Sequence, residues 1–200
     1  MLFRKRPYAA MAAMLMLVIT IAQARAQSDM PKFEVGAQFS LLRIGDLAVS
    51  HPGVGGRIGW NVIDYLSLEG EINLFPKKDI IAYYGGQYQD GNKTQGLFGV
   101  KTGRRSDKFG VFAKLRPGFV HFEKLAIDPC PRGALCILPD RFISQTKFAL
   151  DVGGVLEFYP SHHVVLRFDL GDTIIRFSRR NLPAGATSNL QFNAGVGFRF

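Results

Sequence analysis

The chain has 200 residues, a formal charge of +9 and two cysteines. That length holds one domain and hardly more. Four of the positive charges fall in the first 26 residues, and the remaining balance of about +5 is too mild to point to nucleic acid.

At the amino terminus Arg4, Lys5 and Arg6 precede an apolar run from Ala9 to Ala22, and Ala24-Arg25-Ala26 supplies a small-x-small cleavage pattern. Residues 1–26 therefore form a predicted, cleaved signal peptide, and residues 27–200 the mature domain. The apolar run falls short of the roughly 20 residues that a bilayer-spanning helix needs. No cysteine follows the apolar run at the expected cleavage site, so no lipoprotein anchor is expected.

Beyond the leader no segment carries helical periodicity. Apolar and polar residues instead alternate with period two, the signature of strands with two different faces. Leu66, Leu68, Gly70, Ile72 and Leu74 oppose Ser67, Glu69, Glu71 and Asn73. Comparable runs cover Phe33 to Leu41, Val54 to Asn61, Gln95 to Thr102, Val111 to Phe119, Phe148 to Tyr159, Val164 to Thr173 and Leu190 to Phe200, making eight predicted strands. Gly53, Gly55 and Gly56 do not read as a phosphate loop, because no helix follows them.

The connections alternate in length. Gly45–Pro52, Pro76–Thr94, Glu123–Gln145 and Ile174–Asn189 are the longer set; Val62–Tyr65, Gly103–Lys108 and Pro160–His163 are the shorter. Short periplasmic turns and longer extracellular loops are the rule in transmembrane barrels, and an even strand count places both termini in the periplasm.

A soluble sandwich also alternates, so the content of each face has to decide. The polar face carries Glu34, Glu69, Glu71, Asp151, Glu157 and Asp169 against Arg57, Lys101, Lys114, Arg116, Arg167 and Arg199, six acids and six bases. Inside a small closed barrel such charges must be paired. Arg57 with Glu69, Glu157 with Arg167, and Glu34 with Arg199 are the expected neighbours across strands. The opposite face is almost free of charge and suits hydrocarbon. Trp60, Phe158, Phe198 and Phe200 are expected near the periplasmic interface, and Phe119, Phe148 and Phe192 near the outer one. The reading is all-β: an eight-stranded, antiparallel, up-and-down transmembrane β-barrel. Pro117 conflicts with it, since a closed barrel has no free edge, so a bulge or strand end is expected near Arg116-Pro117-Gly118.

Cys130 and Cys136 lie in a stretch rich in Pro, Gly and Asp without nearby His or Glu. In an exported chain a disulfide is expected there. No metal or cofactor is called for.

At the carboxyl terminus Phe192, Ala194, Val196, Phe198 and the terminal Phe200 resemble the β-signal of bacterial outer-membrane proteins. With the leader and the eight strands, the chain resembles the OmpA-type and OmpX-type barrel domains of the small outer-membrane β-barrel superfamily. The resemblance implies a Gram-negative outer membrane, the barrel-assembly machinery as a partner during biogenesis, and contact with outer-membrane lipid and lipopolysaccharide. The chain ends at the barrel, so peptidoglycan binding does not carry over.

Architecture of this kind does not choose a task. The expectation is a structural, envelope-integrity or surface-interaction protein with no catalytic residues, presenting loops to an unidentified extracellular ligand. Tyr83, Tyr84, Tyr88, Arg176, Arg179 and Arg180 form the candidate loop surface, because aromatic and Arg side chains favour interfaces and Arg pairs with phosphate. A lipid A-modifying hydrolase is the alternative. It requires a serine within hydrogen-bond reach of a base near the outer leaflet. His162 and His163 fall on the periplasmic side, and His121 has no serine beside it in sequence, with Ser144 and Ser178 reachable only through folding; an interfacial histidine is the expected role. A narrow pore is the third reading, disfavoured because eight strands leave a lumen that side chains fill.

Overall fold

The computed structural model describes residues 31–44, 49–81, 87–126, 142–179 and 182–200. The strands are β1 (Phe33–Ile44), β2 (Val49–Ile63), β3 (Leu66–Phe75), β4 (Lys78–Ile81), β5 (Gln87–Asp90), β6 (Lys93–Arg105), β7 (Phe109–Ala126), β8 (Phe142–Phe158), β9 (Val164–Arg179), β10 (Leu182–Thr187) and β11 (Asn189–Arg199). Eight of them, β1, β2, β3, β6, β7, β8, β9 and β11, pair antiparallel with their neighbours, and β9 also pairs with β8, so the sheet closes. The expected signal peptide and the expected Cys130–Cys136 disulfide lie outside the described residues.

The register fixes the size of the barrel. Following the ladders from Phe33 through Trp60, Leu68, Val100, Leu115, Val152, Asp172 and Leu190 returns to β1 at Arg43, ten residues further along. Eight strands with a stagger of ten, at ordinary strand spacing and rise, tilt by roughly 41° and enclose a backbone radius of about 8 Å. Such a cylinder has room for one layer of inward side chains from each wall.

Each face is uniform because the pleat alternates. Phe33, Val35, Val54, Ile58, Trp60, Ile72, Phe98, Val111, Leu115, Phe148, Leu170 and Val196 are exposed on the outside, while Glu69, Lys101, Arg116, Asp151, Glu157, Arg167 and Asp169 are buried inside. The molecule is inverted relative to a water-soluble one, and an apolar belt that covers the whole wall has only lipid to satisfy it. On β7 the belt runs from Phe109 to Phe119, about 25 Å along the barrel axis at that tilt. At the rim that carries Phe200, Phe33 stacks on Trp60 with centroids 6.5 Å apart, and lies 6.2 Å from Phe200. His163 stacks on Phe198 at 5.6 Å.

Three details depart from expectation. The outer connections are more structured than loops: β4 and β5 form a hairpin within Pro76–Thr94, and β9 continues to Arg179 and pairs with β10. Pro117 causes neither a bulge nor a strand end. Pairing of β7 with β6 lapses between Leu115 and Gly118 and resumes in the same register, while Arg116 and Pro117 stay paired with Asp151 and Leu150 of β8. The missing N–H is thus confined to one ladder. Gly99 faces this gap, where an added Cβ would lie 2.1 Å from the Leu115 carbonyl oxygen.

Candidate functional site

Two regions concentrate polar chemistry: the lumen and the outer rim. All twelve charged residues assigned to the inner face are buried there. Their pairing is a network and not a set of isolated pairs. Arg167 grips both oxygens of Glu69, with Nη2 2.8 Å from Oε2, and both oxygens of Asp169 at 2.6 and 3.0 Å. Arg116 reaches Glu71 Oε2 at 2.5 Å and Asp151 Oδ2 at 2.8 and 2.6 Å from Nε and Nη2. Lys101 bridges Glu69 and Glu157, and Lys114 bridges Asp151 at 2.9 Å and Asp169 at 3.5 Å. The four cations Arg116, Arg167, Lys101 and Lys114 are tolerable this deep because each has two or more partners of opposite sign.

Two of the three expected pairs are different. Arg57 stands across from Glu71 in register, and its Nε goes to Glu34 at 3.0 Å, leaving Glu69 to Arg167 and Lys101. Strand β2 runs on to Ile63, so the turn is Asp64–Tyr65 and shorter than Val62–Tyr65, and the register left after a one-residue shift between Asn61 and Ile63 sets Arg57 against Glu71. Glu34 and Arg199 are backbone partners across the closing ladder, but Arg199 turns to the ring of Tyr159, 4.0 Å away, and to the Ser161 carbonyl. Glu157 and Arg167 are partners in register and lie 3.6 Å apart.

Arg105 adds a cation that the alternation count missed, because it sits in a segment read as a turn. It reaches Glu157 at 3.7 Å and the Tyr159 hydroxyl at 2.9 Å, and Tyr159 in turn donates to Glu157 at 2.6 Å. Just past the end of β8, burial, reinforced by the Glu157 carboxylate, pushes the Tyr159 phenol well above its ordinary range.

Above the ionic layer the lumen is lined by amides. Gln95 and Gln191 exchange reciprocal bonds of 2.9 and 3.0 Å, Asn73 donates to Glu71 and Gln95, and Ser40 donates to Asn193 at 2.6 Å. Towards the outer mouth Val120, Phe122, Ala149 and Ile175 form an apolar cluster inside the barrel. Among the described residues the interior thus carries three chemically distinct layers of buried side chains.

The outer rim begins where the apolar belt stops. Arg43, His121, Ser144, Thr146 and Arg176 occupy outward or exposed positions beyond it. His121 Nε2 lies 3.1 Å from Ser144 Oγ, and His121 Nδ1 lies 2.9 Å from Thr146 Oγ1. The partners sit on neighbouring strands, separated by more than 20 residues of chain, so no local motif could have revealed them. Ser178 lies on β9, which does not pair with β7. Of the loop candidates Arg176 is exposed on β9, Tyr88 and Arg179 are placed by their backbones on β5 and at the end of β9, and Tyr83, Tyr84 and Arg180 lie outside the described residues. Phe192, Val196, Phe198 and Phe200 all face outward on the last strand.

An apolar outer wall around a salt-bridged interior defines an integral membrane β-barrel. The model of the outer membrane protein beta-barrel domain matches residues 10–200, and the chain belongs to that family of the bacterial outer membrane. The fold is similar to the amino-terminal β-barrel domain of Pseudomonas aeruginosa OprF, at 14% identity and a TM-score of 0.53 over 86% of this chain and 100% of that one. It is also similar to Pseudomonas aeruginosa OprG, at 10% identity and a TM-score of 0.52 over 86% and 96% of the two chains. Neisserial surface protein A matches at 14% identity and a TM-score of 0.50, over 84% and 96%. Among curated protein sequences none matches this chain.

Proposed function

We propose that this barrel is a structural and surface-interaction protein of the outer membrane, acting through its outer rim and loops and not through a channel. The observation that carries this reading is the packed lumen, in which Arg116 and Arg167 are essentially inaccessible at 0% and 1% exposure. A continuous water path would require several buried ion pairs to separate at once, each separation leaving an uncompensated charge. Arg43 and Arg176 supply guanidinium groups at the level of lipopolysaccharide phosphates, where bidentate pairing is favourable. The last strand, ending on Phe200, is the segment offered to the barrel-assembly machinery.

The test compares a strain lacking the gene with the same strain carrying the wild type or an Arg43→Ser/Arg176→Ser variant. Loss of the gene is expected to increase sensitivity to bulky hydrophobic antibiotics, and the variant to restore only part of the barrier. Stable single-channel conductance of the purified wild type in planar bilayers would overturn the reading in favour of a pore.

A further inference from the structure

His121 and Ser144 meet on the lipid-facing wall of the barrel, and the depth at which they meet matters. His121 follows Phe119 by two residues on β7, placing it about 5 Å beyond the top of the apolar belt along the barrel axis. On β8 the corresponding step separates Phe148 from Thr146, which stands directly across from His121. This is the level at which a bilayer changes from acyl chain to headgroup, and it is where the ester carbonyls of membrane lipids lie. Ser144 and Thr146 are exposed and His121 is half-buried, so a lipid in the outer leaflet has access to the hydroxyl.

The local backbone is also unusual. Between Phe122 and Leu125 of β7 the register with β8 shifts, so that two residues of β7 stand opposite Ser144 alone. A bulge of this kind re-aims the side chain beside it. The ring has the orientation that activation of a serine needs. With the Nδ1 proton donated to Thr146 Oγ1, Nε2 is left as the acceptor for the Ser144 hydroxyl.

We propose that His121 and Ser144 form an acyl-ester hydrolase site at the outer-leaflet interface, with long-chain carboxylic esters of membrane lipids as substrates. Ser144 Oγ attacks the ester carbonyl carbon while its proton passes to His121 Nε2. The tetrahedral adduct collapses with cleavage of the carbon–alkoxy bond, and Nε2 returns the proton to the departing alkoxide. Water then attacks the acyl-serine, its proton going to Nε2 and on to Ser144 Oγ, releasing a free fatty acid. The net change is ester plus water to acid plus alcohol, with no other reactant.

Thr146 is a positioning residue. It orients the ring but brings no negative charge to balance an imidazolium, and the next outward side chain on β7, Glu123, is engaged by Asn92 at 2.7 Å. Turnover is therefore slow, since replacing the carboxylate of a serine triad by a neutral group costs about 10⁴ in kcat in the best-known case.

The experiment uses the full mature barrel refolded into two kinds of vesicle, one of phosphatidylethanolamine and phosphatidylglycerol and one supplemented with lipopolysaccharide. Free fatty acid and deacylated lipid are quantified by mass spectrometry, and Ser144 is probed by covalent labelling with a fluorophosphonate. The wild type is expected to release fatty acid and to be labelled at Ser144. Ser144→Ala and His121→Gln should each lose at least about 100-fold of that release, and Thr146→Val several-fold. A shift in mobility on heating confirms that each variant is folded. Release only in the second vesicle identifies acylated sugar lipid as substrate, and release in both identifies a general interfacial ester. No release above protein-free vesicles from a folded wild type, or undiminished release by Ser144→Ala, overturns the proposal. Either result leaves the antibiotic-barrier test of the structural role untouched.

Discussion

Replacing Arg116 with Met removes the cation at the centre of the lumen while keeping much of its volume. Four acids lose a partner, but three of them keep another: Glu69 retains Arg167 at 2.8 Å, Asp151 retains Lys114 at 2.9 Å, and Asp169 retains Arg167 at 2.6 Å. Glu71 keeps only the amides of Asn73 and Asn193, at 2.6 and 3.1 Å. One carboxylate is thus left buried and uncompensated, and breaking a buried pair in this way costs about 3–5 kcal/mol. Combining Arg116→Met with Glu71→Gln removes the orphaned charge, so the double variant should recover about 2–3 kcal/mol relative to the sum of the single effects. Urea unfolding in lipid vesicles measures this directly, with fluorescence of the single tryptophan, Trp60, stacked on Phe33 at the rim, as the probe. A single variant within about 0.5 kcal/mol of wild type, or strictly additive effects, would refute the reasoning.

Two further predictions concern the ends and the wall of the barrel. Because burial raises the Tyr159 phenol, its contribution to stability is complete below the ordinary tyrosine value of about 10 and is lost as pH rises through the higher folded value. Tyr159→Phe should flatten the decline of unfolding free energy above that pH, and an unchanged slope would count against the buried phenol. Gly99→Ala should destabilise the barrel by about 1–3 kcal/mol, since the new Cβ meets backbone atoms of Leu115 and Arg116 at 2.1 and 2.7 Å. The same unfolding titration reads this out, and a neutral effect would show that the β6–β7 gap is free to widen.

Much of the fold was legible because the pleat writes itself into the sequence: twelve charged positions on one face and a greasy opposite face leave little choice about which side meets lipid. Fine register was not legible. The strands run closer to the β2–β3 turn than the alternation shows, with a one-residue shift between Asn61 and Ile63, so Arg57 faces Glu71 in the ladder and pairs with Glu34 across the other one. Arg105 escaped notice because alternation was read only to Thr102, while β6 extends into the turn. The amide layer of Gln95 and Gln191 was invisible for a similar reason: their strands carry uncharged polar residues whose mutual contacts run across the lumen and not along a ladder. The His121–Ser144 contact depends on a bulge and on strand neighbours, neither of which has a local motif.

Spin labels introduced one at a time on the outward positions of β7, from Phe109 to Glu123, give the most direct test of a closed sheet facing lipid. Collision with dissolved oxygen should be high and collision with a water-soluble nickel complex low from Phe109 through Phe119, with the preference reversing at His121 and Glu123. Free access of the nickel complex to Val111, Ala113 and Leu115 in vesicles would contradict the account, because those side chains would then be standing in water.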